Sequence, residues 1–370
     1  MIYIVVFMSS IFFAWLAERS KDKCIIILCS VISILIPSLL GGLRHYTVGA
    51  DSAGYGIAIS NLAMKTSSFL GFLENSNVEP GCRVIFYYGT RLFDSYSGAF
   101  FFFELITMTC FYIGAYRHKK IVPLTLTMLV FYFILYCRTY NEIRQSIAAA
   151  IIFMGLNYLE SKKYLKFLLH VVVGITFHYS ALITVFLFLC FHAITASKIY
   201  SENNIFKFIS VFGTIILLLF AFQIMNVIVS GISFMNKYAG YLDRINLGYN
   251  AVRKPLIVLY FGELLMFIFY HKGAIKVLTG SNGELNVNFY EFSIIFCLSY
   301  LIGVAFFDRL IFYTDFANIL VIAALPFFVK EKNLRFLVFF AVLITVFVFW
   351  YYKFLYLNTF GVWPYRSILD

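Results

Sequence analysis

Charge is what this chain has least of: only 13% of its 370 residues are Asp, Glu, Lys or Arg, while 62% are hydrophobic and 20% aromatic. Soluble domains carry about 25% charged residues, so a soluble globular class is excluded. Ten-residue segments of alternating polarity are absent, which argues against a membrane barrel. Metal-ligand spacing is missing too: the seven cysteines lie mostly inside apolar runs, with no Cys-x-x-Cys and no Cys/His pattern. Neither a disulfide framework nor a zinc site is expected. The net charge of +11 is scattered in short clusters and forms no basic domain, so no nucleic-acid partner is implied. The first residues, MIYIVVFMSSIFFAWLAERSKDK, are apolar before they are basic. A cleavable secretory signal has the reverse order, so a retained first span is expected.

What the chain does have is a succession of apolar runs, each long enough as a helix to approach or exceed a hydrocarbon core of about 30 Å. They fall near 2–17, 24–43, 97–116, 121–137, 145–160, 164–177, 179–194, 205–230, 255–271, 288–306, 309–329 and 335–352. The expectation is an all-α, polytopic membrane protein of about twelve spans, with 1–370 as one integral membrane domain. The run 164–194 reads as two short helices meeting near TFHYS. The segment 44–96 is too aromatic and varied for a linker, and its EPGCRVIFYYGTRLF suits a re-entrant or interfacial helix.

Basic clusters in ERSKDK, YRHKK, ESKKYLK, YHKGAIK and KEKNLR mark short loops as cytoplasmic. The longer connections 44–96, 138–144, 231–254 and the tail from 353 then lie outside. On this topology thirteen lysines and three arginines fall inside, four lysines and nine arginines outside. Lysine is a hydrated point charge, whereas arginine is a planar fork that grips phosphate or carboxylate with paired hydrogen bonds. An arginine-rich outer face therefore reads as an anion site.

Four outer groups are candidates for chemistry: Arg44 with Asp51 and Tyr55, Arg138 with Arg144, His178, and Arg309. Arg144 and Gln145 precede Ala148, Ala149 and Ala150, a small-residue stripe that lets helices approach closely. A bland alternative stands beside each. Arg144 also suits a snorkelling anchor, Asp51 a turn residue or the counter-ion of Arg44, and His178 a structural hydrogen-bonder. Glu104 and Glu263, inside spans, suit arginine partners or proton carriers.

The succession LRHYTVGADSAGY, EPGCRVIFYYGTRLF, NEIRQSIAAAIIF, TFHYSALI, DRLIFYTDFANIL and PYRSIL resembles the EpsG-like branch of bacterial O-antigen and exopolysaccharide polymerases over most of the chain. Ala50 stands where that family often has a polar residue, and Cys82 where it often has an aromatic one. The resemblance implies a glycosyltransferase of the cytoplasmic membrane with its site facing outward. It would move a growing glycan from undecaprenyl pyrophosphate onto the next lipid-linked repeat unit, with a chain-length regulator protein as a further partner. Arg44, Arg144 and Arg309, with Arg138 as a fourth and Tyr55 and Gln145 beside them, would hold the substrate, and His178 or Asp51 would be the base. No cofactor is implied, and the lack of an Asp-x-Asp motif favours a site without metal. A lipid-linked oligosaccharide flippase, a glycan ligase and a membrane acyltransferase are the competing classes.

Overall fold

The computed structural model describes residues 1–182 and 250–369 apart from 280–286 and 298–304, with scattered positions between 184 and 217. The described residues are helical, with an isolated antiparallel bridge between Arg44 and Ser367 in place of any sheet. They divide into two compact units, Met1–Leu182 with Phe339–Asp370, and Ile183–Val338.

In the first unit, α1 (Ile2–Arg19) packs on α2 (Lys23–Leu43). Its stripe of Tyr3, Phe7, Ser10, Ile11, Ala14 and Ala17 is buried, while Val5, Met8, Phe12 and Trp15 stay exposed. Both faces are apolar, so polarity does not choose the inward one. Small residues and interhelical hydrogen bonds choose it instead. Pro37 sits inside α2 and has no N–H to give the carbonyl of Ser33, four residues back. Ser10 Oγ on α1 donates to that carbonyl at 2.6 Å, and Ser33 Oγ returns a bond to Ser10 O at 2.9 Å.

After α2 come three helical pieces: α3 (Ile57–Lys65), α4 (Phe69–Asn75) and α5 (Pro80–Val84), which runs on through π-helical Ile85–Gly89 to Phe93. Val84, Tyr88 and Leu92 form an exposed apolar stripe along the last piece, opposite the buried Ile85, Phe86 and Gly89. Then α6 (Tyr96–Arg117) lies between α2 and α8 (Ile143–Glu160). Between them, α7 (Leu124–Phe131) continues as a π-helical turn to Tyr136 and ends at Thr139. Phe111 of α6 stacks between Phe131 and Phe153, at 3.9 and 5.0 Å between centroids. The alanine stripe 148–150 is fully buried, as its small side chains imply. The chain turns at Thr176–Ser180 after α9 (Tyr164–Ile175), the break expected at TFHYS.

In the second unit, α10 (Asn250–Phe269) bends by 94° into α11 (His271–Leu278), so the basic run HKGAIK is an amphipathic helix of its own. α12 (Val287–Cys297) and α13 (Ala305–Phe328) pack with α10. α14 (Lys332–Trp350) leads back to the first unit.

Twelve crossings are not reached among the described residues. Five helices are long and apolar enough to span a membrane, six with the bent pair counted as one. Leu124–Thr139 and Tyr164–Ile175 are shorter apolar helices, and α8 is diluted by Arg144, Gln145, Asn157 and Glu160. The runs at 179–194 and 205–230 lie largely outside the described residues.

One contact fixes the end of the first unit that carries the basic loops. Glu18 on α1 accepts from Leu124 N and Thr125 N at 3.0 Å each and from Thr125 Oγ1 at 2.5 Å, capping α7 from outside its own chain segment. Glu18→Ala leaves those donors without a partner. It is expected to lower stability by about 2 kcal/mol, read as the unfolding transition of the purified protein in detergent.

Candidate functional site

At the opposite end of the first unit the sequence candidates meet. Gly41 and Gly42 close α2 against α6: a Cβ on Gly41 would lie 2.7 Å from Glu104 Cγ, and one on Gly42 2.6 Å from Phe101 Cβ. That close approach carries Arg44 into the protein, where it is 1% exposed. Its guanidinium lies between the rings of Phe100 and Tyr140, 4.5 and 4.3 Å from their centroids. Nε donates to Ser52 Oγ at 3.2 Å and Nη1 to the carbonyl of Gly41. Glu104, buried on α6, accepts from Thr139 Oγ1 at 3.0 Å and lies, like Arg44 Nη1, against Gly41.

The tail is fastened over this residue. His45 N donates to Arg366 O at 2.8 Å, Ile368 N to Leu43 O at 2.9 Å and Tyr365 Oη to Leu40 O at 2.8 Å. Tyr3 Oη, from the first turn of α1, donates to Val362 O at 2.8 Å.

A turn at Gly49, with φ +95, brings Asp51 beside Arg144. Any side chain there would be strained and would meet Tyr140 O at 2.5 Å. Tyr55, one helical turn after Asp51, donates to Asp51 Oδ2 at 2.9 Å and lies flat under Arg144, whose Cζ is 4.6 Å from the ring centroid. Burial pushes the Asp51 carboxyl up to about 6; the Tyr55 hydrogen bond and the Arg144 charge pull it down, while Glu142 adds to the rise.

Arg144 opens α8 with a side chain 25% exposed, paired at 2.5 Å with Glu79, which is itself 4% exposed. Its Nε has no hydrogen-bond partner. Arg138 is paired with Glu142 at 2.6 Å. Gln145 is buried on α8.

His178 joins the same group through the Glu79-Pro80-Gly81-Cys82 turn. Gly81 N donates to Thr176 O at 2.8 Å and Cys82 Sγ to Phe177 O at 3.2 Å, and a Cβ on Gly81 would press within 2.8 Å of the Phe177 ring. The backbone N–H of Ser180 donates to His178 Nδ1 at 3.2 Å, so Nδ1 is an acceptor and the ring proton of the neutral imidazole sits on Nε2. In that tautomer Nε2 is a donor rather than a base.

One end of the first unit thus gathers Arg44, Asp51, Tyr55, Arg138, Arg144, Gln145 and His178. Arg309 belongs to the second unit, and its side chain lies outside the described residues. The sequence reading anticipated concentrated positive charge. Instead the three arginines stand among Asp51, Glu79, Glu104 and Glu142. Glu79 and Glu142 were not singled out as arginine partners, although Glu142 stands four residues after Arg138, helical pairing distance. The Glu79 partnership spans 65 positions and has no local signal. Among the described residues no group of three potential metal ligands gathers.

The EpsG family model matches residues 26–367, nearly the whole chain. Neither a curated protein nor a solved structure matches it.

The geometry separates the arginines by role. Arg44→Lys loses the two-ring sandwich and the fork to Ser52 and Gly41, and is expected to lower stability by about 2 kcal/mol. Arg144→Lys, on a partly exposed pair, should change it by less than about 1 kcal/mol. Denaturation of the two variants side by side in the same detergent checks the contrast.

Proposed function

This chain belongs to the EpsG family, which is linked to exopolysaccharide biosynthesis, and on that premise we propose that it is a membrane glycosyltransferase polymerising lipid-linked repeat units. The observation that carries the reading is that Tyr55 brings Asp51 and Arg144 together, the carboxylate on its hydroxyl and the guanidinium over its ring. A carboxyl of pKa about 6 is mostly ionised at neutral pH yet far more basic than an ordinary aspartate. Beside it stands a partly exposed guanidinium with an unused Nε–H.

In the proposed reaction a hydroxyl of the acceptor unit attacks the anomeric carbon of the growing glycan. The bond from that carbon to the undecaprenyl pyrophosphate breaks, and its electron pair leaves with the phosphate oxygen. Arg144 donates to that oxygen as its charge grows, in place of part of its contact with Glu79. The hydroxyl proton passes to Asp51. Tyr55 sets the carboxylate by its hydrogen bond and the guanidinium by its ring. Arg44 is a post that holds Ser52, and hence Asp51, in place. His178 positions the Glu79 turn, and with its Nδ1 turned to Ser180 the role of base is assigned to Asp51 ahead of His178, the first candidate of the sequence. The membrane setting suits a substrate with a polyprenyl chain. The outward orientation rests on the distribution of lysine and arginine.

A lipid-linked oligosaccharide transporter is the second reading. It is favoured by one observation, the buried carboxylates Glu263 and Asp315 within the helices of the second unit, since transporters place charged groups inside spans.

Chain-length distributions in cells distinguish the two. A polymerase variant leaves single repeat units on the surface lipid, whereas a failed transporter traps them inside. Asp51→Asn and Arg144→Lys should each cut polymerisation by about 100-fold, while His178→Gln retains a measurable ladder. Long polymer in the Asp51→Asn strain would remove Asp51 as base.

The pH profile gives a second check. Asp51 accepts a proton only when ionised, so the rate with purified lipid-linked units should rise with pH and level off above about 6. Tyr55→Phe removes a hydrogen bond that favours the carboxylate, so the rise should move to higher pH.

A further inference from the structure

The second unit carries a basic elbow that the glycan chemistry leaves unused. α11 turns by 94° from α10 and shows Lys272, Ile275 and Lys276 outward, while Gly273, Ala274 and Leu278 are buried. Gly273 lies so close to α13 that any Cβ there would collide with Phe328 O, which seats the helix on the end of α13. Arg335, in the first turn of α14, donates from Nε to Val329 O at 3.0 Å and from Nη2 to Lys330 O at 3.4 Å, fixing the turn after α13. The basic runs HKGAIK and KEKNLR, far apart in sequence, thereby meet. Between them lies a groove of about 550 Å³, lined by His271, Lys272, Lys330 and Glu331 and, on the α10 side, by Ile268 and Phe269. His271 Nε2 is buried there without a hydrogen-bond partner.

The two runs bring Lys272, Lys276, Lys330, Lys332 and Arg335 together with one acid, Glu331. Lysines gathered at a membrane surface attract anionic headgroups, and a short helix with basic residues outward, turned across the end of an apolar one, suits that surface. The apolar side of the groove distinguishes a lipid from a soluble anion. Phe261, Leu265 and Ile268, spaced four and three residues apart, are exposed along α10 and lead into it beside the exposed Phe269. A free phosphate would use only the cationic end, whereas a phospholipid would also cover this stripe. We propose that the elbow binds an anionic phospholipid, its phosphate held by Lys272, Lys330 and His271 and its acyl chains laid along α10. The site is independent of the glycan reading, since it involves none of the residues placed around Asp51.

The test is thermal unfolding of the full-length protein in detergent micelles containing dioleoyl phosphatidylglycerol or dioleoyl phosphatidylcholine, the same chains under a headgroup of no net charge. Phosphatidylglycerol is expected to raise the wild-type midpoint by about 2 °C over phosphatidylcholine. The double variant Lys272→Gln with Lys330→Gln changes two exposed side chains, so it should fold, and it should lose most of that difference. Lys120→Gln with Lys162→Gln removes the same charge from exposed positions of the first unit and should keep it. Native mass spectrometry gives a second readout, in which the wild type retains more phosphatidylglycerol than the Lys272→Gln, Lys330→Gln protein. Inorganic phosphate alone should give no rise. Equal midpoints in the two lipids, a full response in the Lys272→Gln, Lys330→Gln protein, an equal loss in the control variant, or the same rise with inorganic phosphate would overturn the proposal.

Discussion

A guanidinium withdrawn from water has two flat faces to cover and five N–H groups to place, and the Arg44 environment is organised around that requirement. Two aromatic rings cover the faces, while Gly41 O and Ser52 Oγ take donors. These partners come from α2, the segment before α3, α6 and the turn between α7 and α8. The residue therefore ties four parts of the chain at one depth. Removing it would undo all of these contacts at once and leave Gly41 O and Ser52 Oγ without their donors.

The same compensation governs the neighbouring residues. Arg144 with Glu79 and Arg138 with Glu142 each bring together two charges that a setting poor in water would not hold singly. On the glycan reading this makes recognition an exchange of partners. A phosphate oxygen replaces a carboxylate on a guanidinium already oriented by a tyrosine ring, so little ordering remains when substrate arrives. Selectivity then follows from whether an incoming anion matches the fork better than Glu79 does.

Much of this was legible in the sequence, and the reasons are local. Membrane class followed from composition, and the break at TFHYS from the length of the apolar run. The grouping of Arg44, Asp51, Tyr55, Arg138, Arg144 and His178 followed from counting loops, since charges at the same end of successive helices share a depth. What escaped was long-range. That Glu79 would meet Arg144, that Gly81 would seat against Phe177, or that Glu18 would cap a helix more than a hundred residues away depends on tertiary packing that leaves no periodic trace. The count of twelve spans is not shown among the described residues, where apolar runs also form short helices, such as Tyr164–Ile175, that need not cross a membrane alone. The direction in which α1 faces was likewise hidden, since both of its sides are greasy and only Ser10, Ala14 and Ala17 mark the inner one.

The strap formed by residues 361–368 has a consequence for biogenesis. Its anchors, Tyr3, Leu40, Leu43 and His45, precede it by more than three hundred residues. Until translation reaches the strap, the residues around Arg44 lack its cover, so a shorter nascent chain cannot complete that end of the first unit. Synthesis itself thus acts as a timer, delaying closure of that end until the helices between have been made.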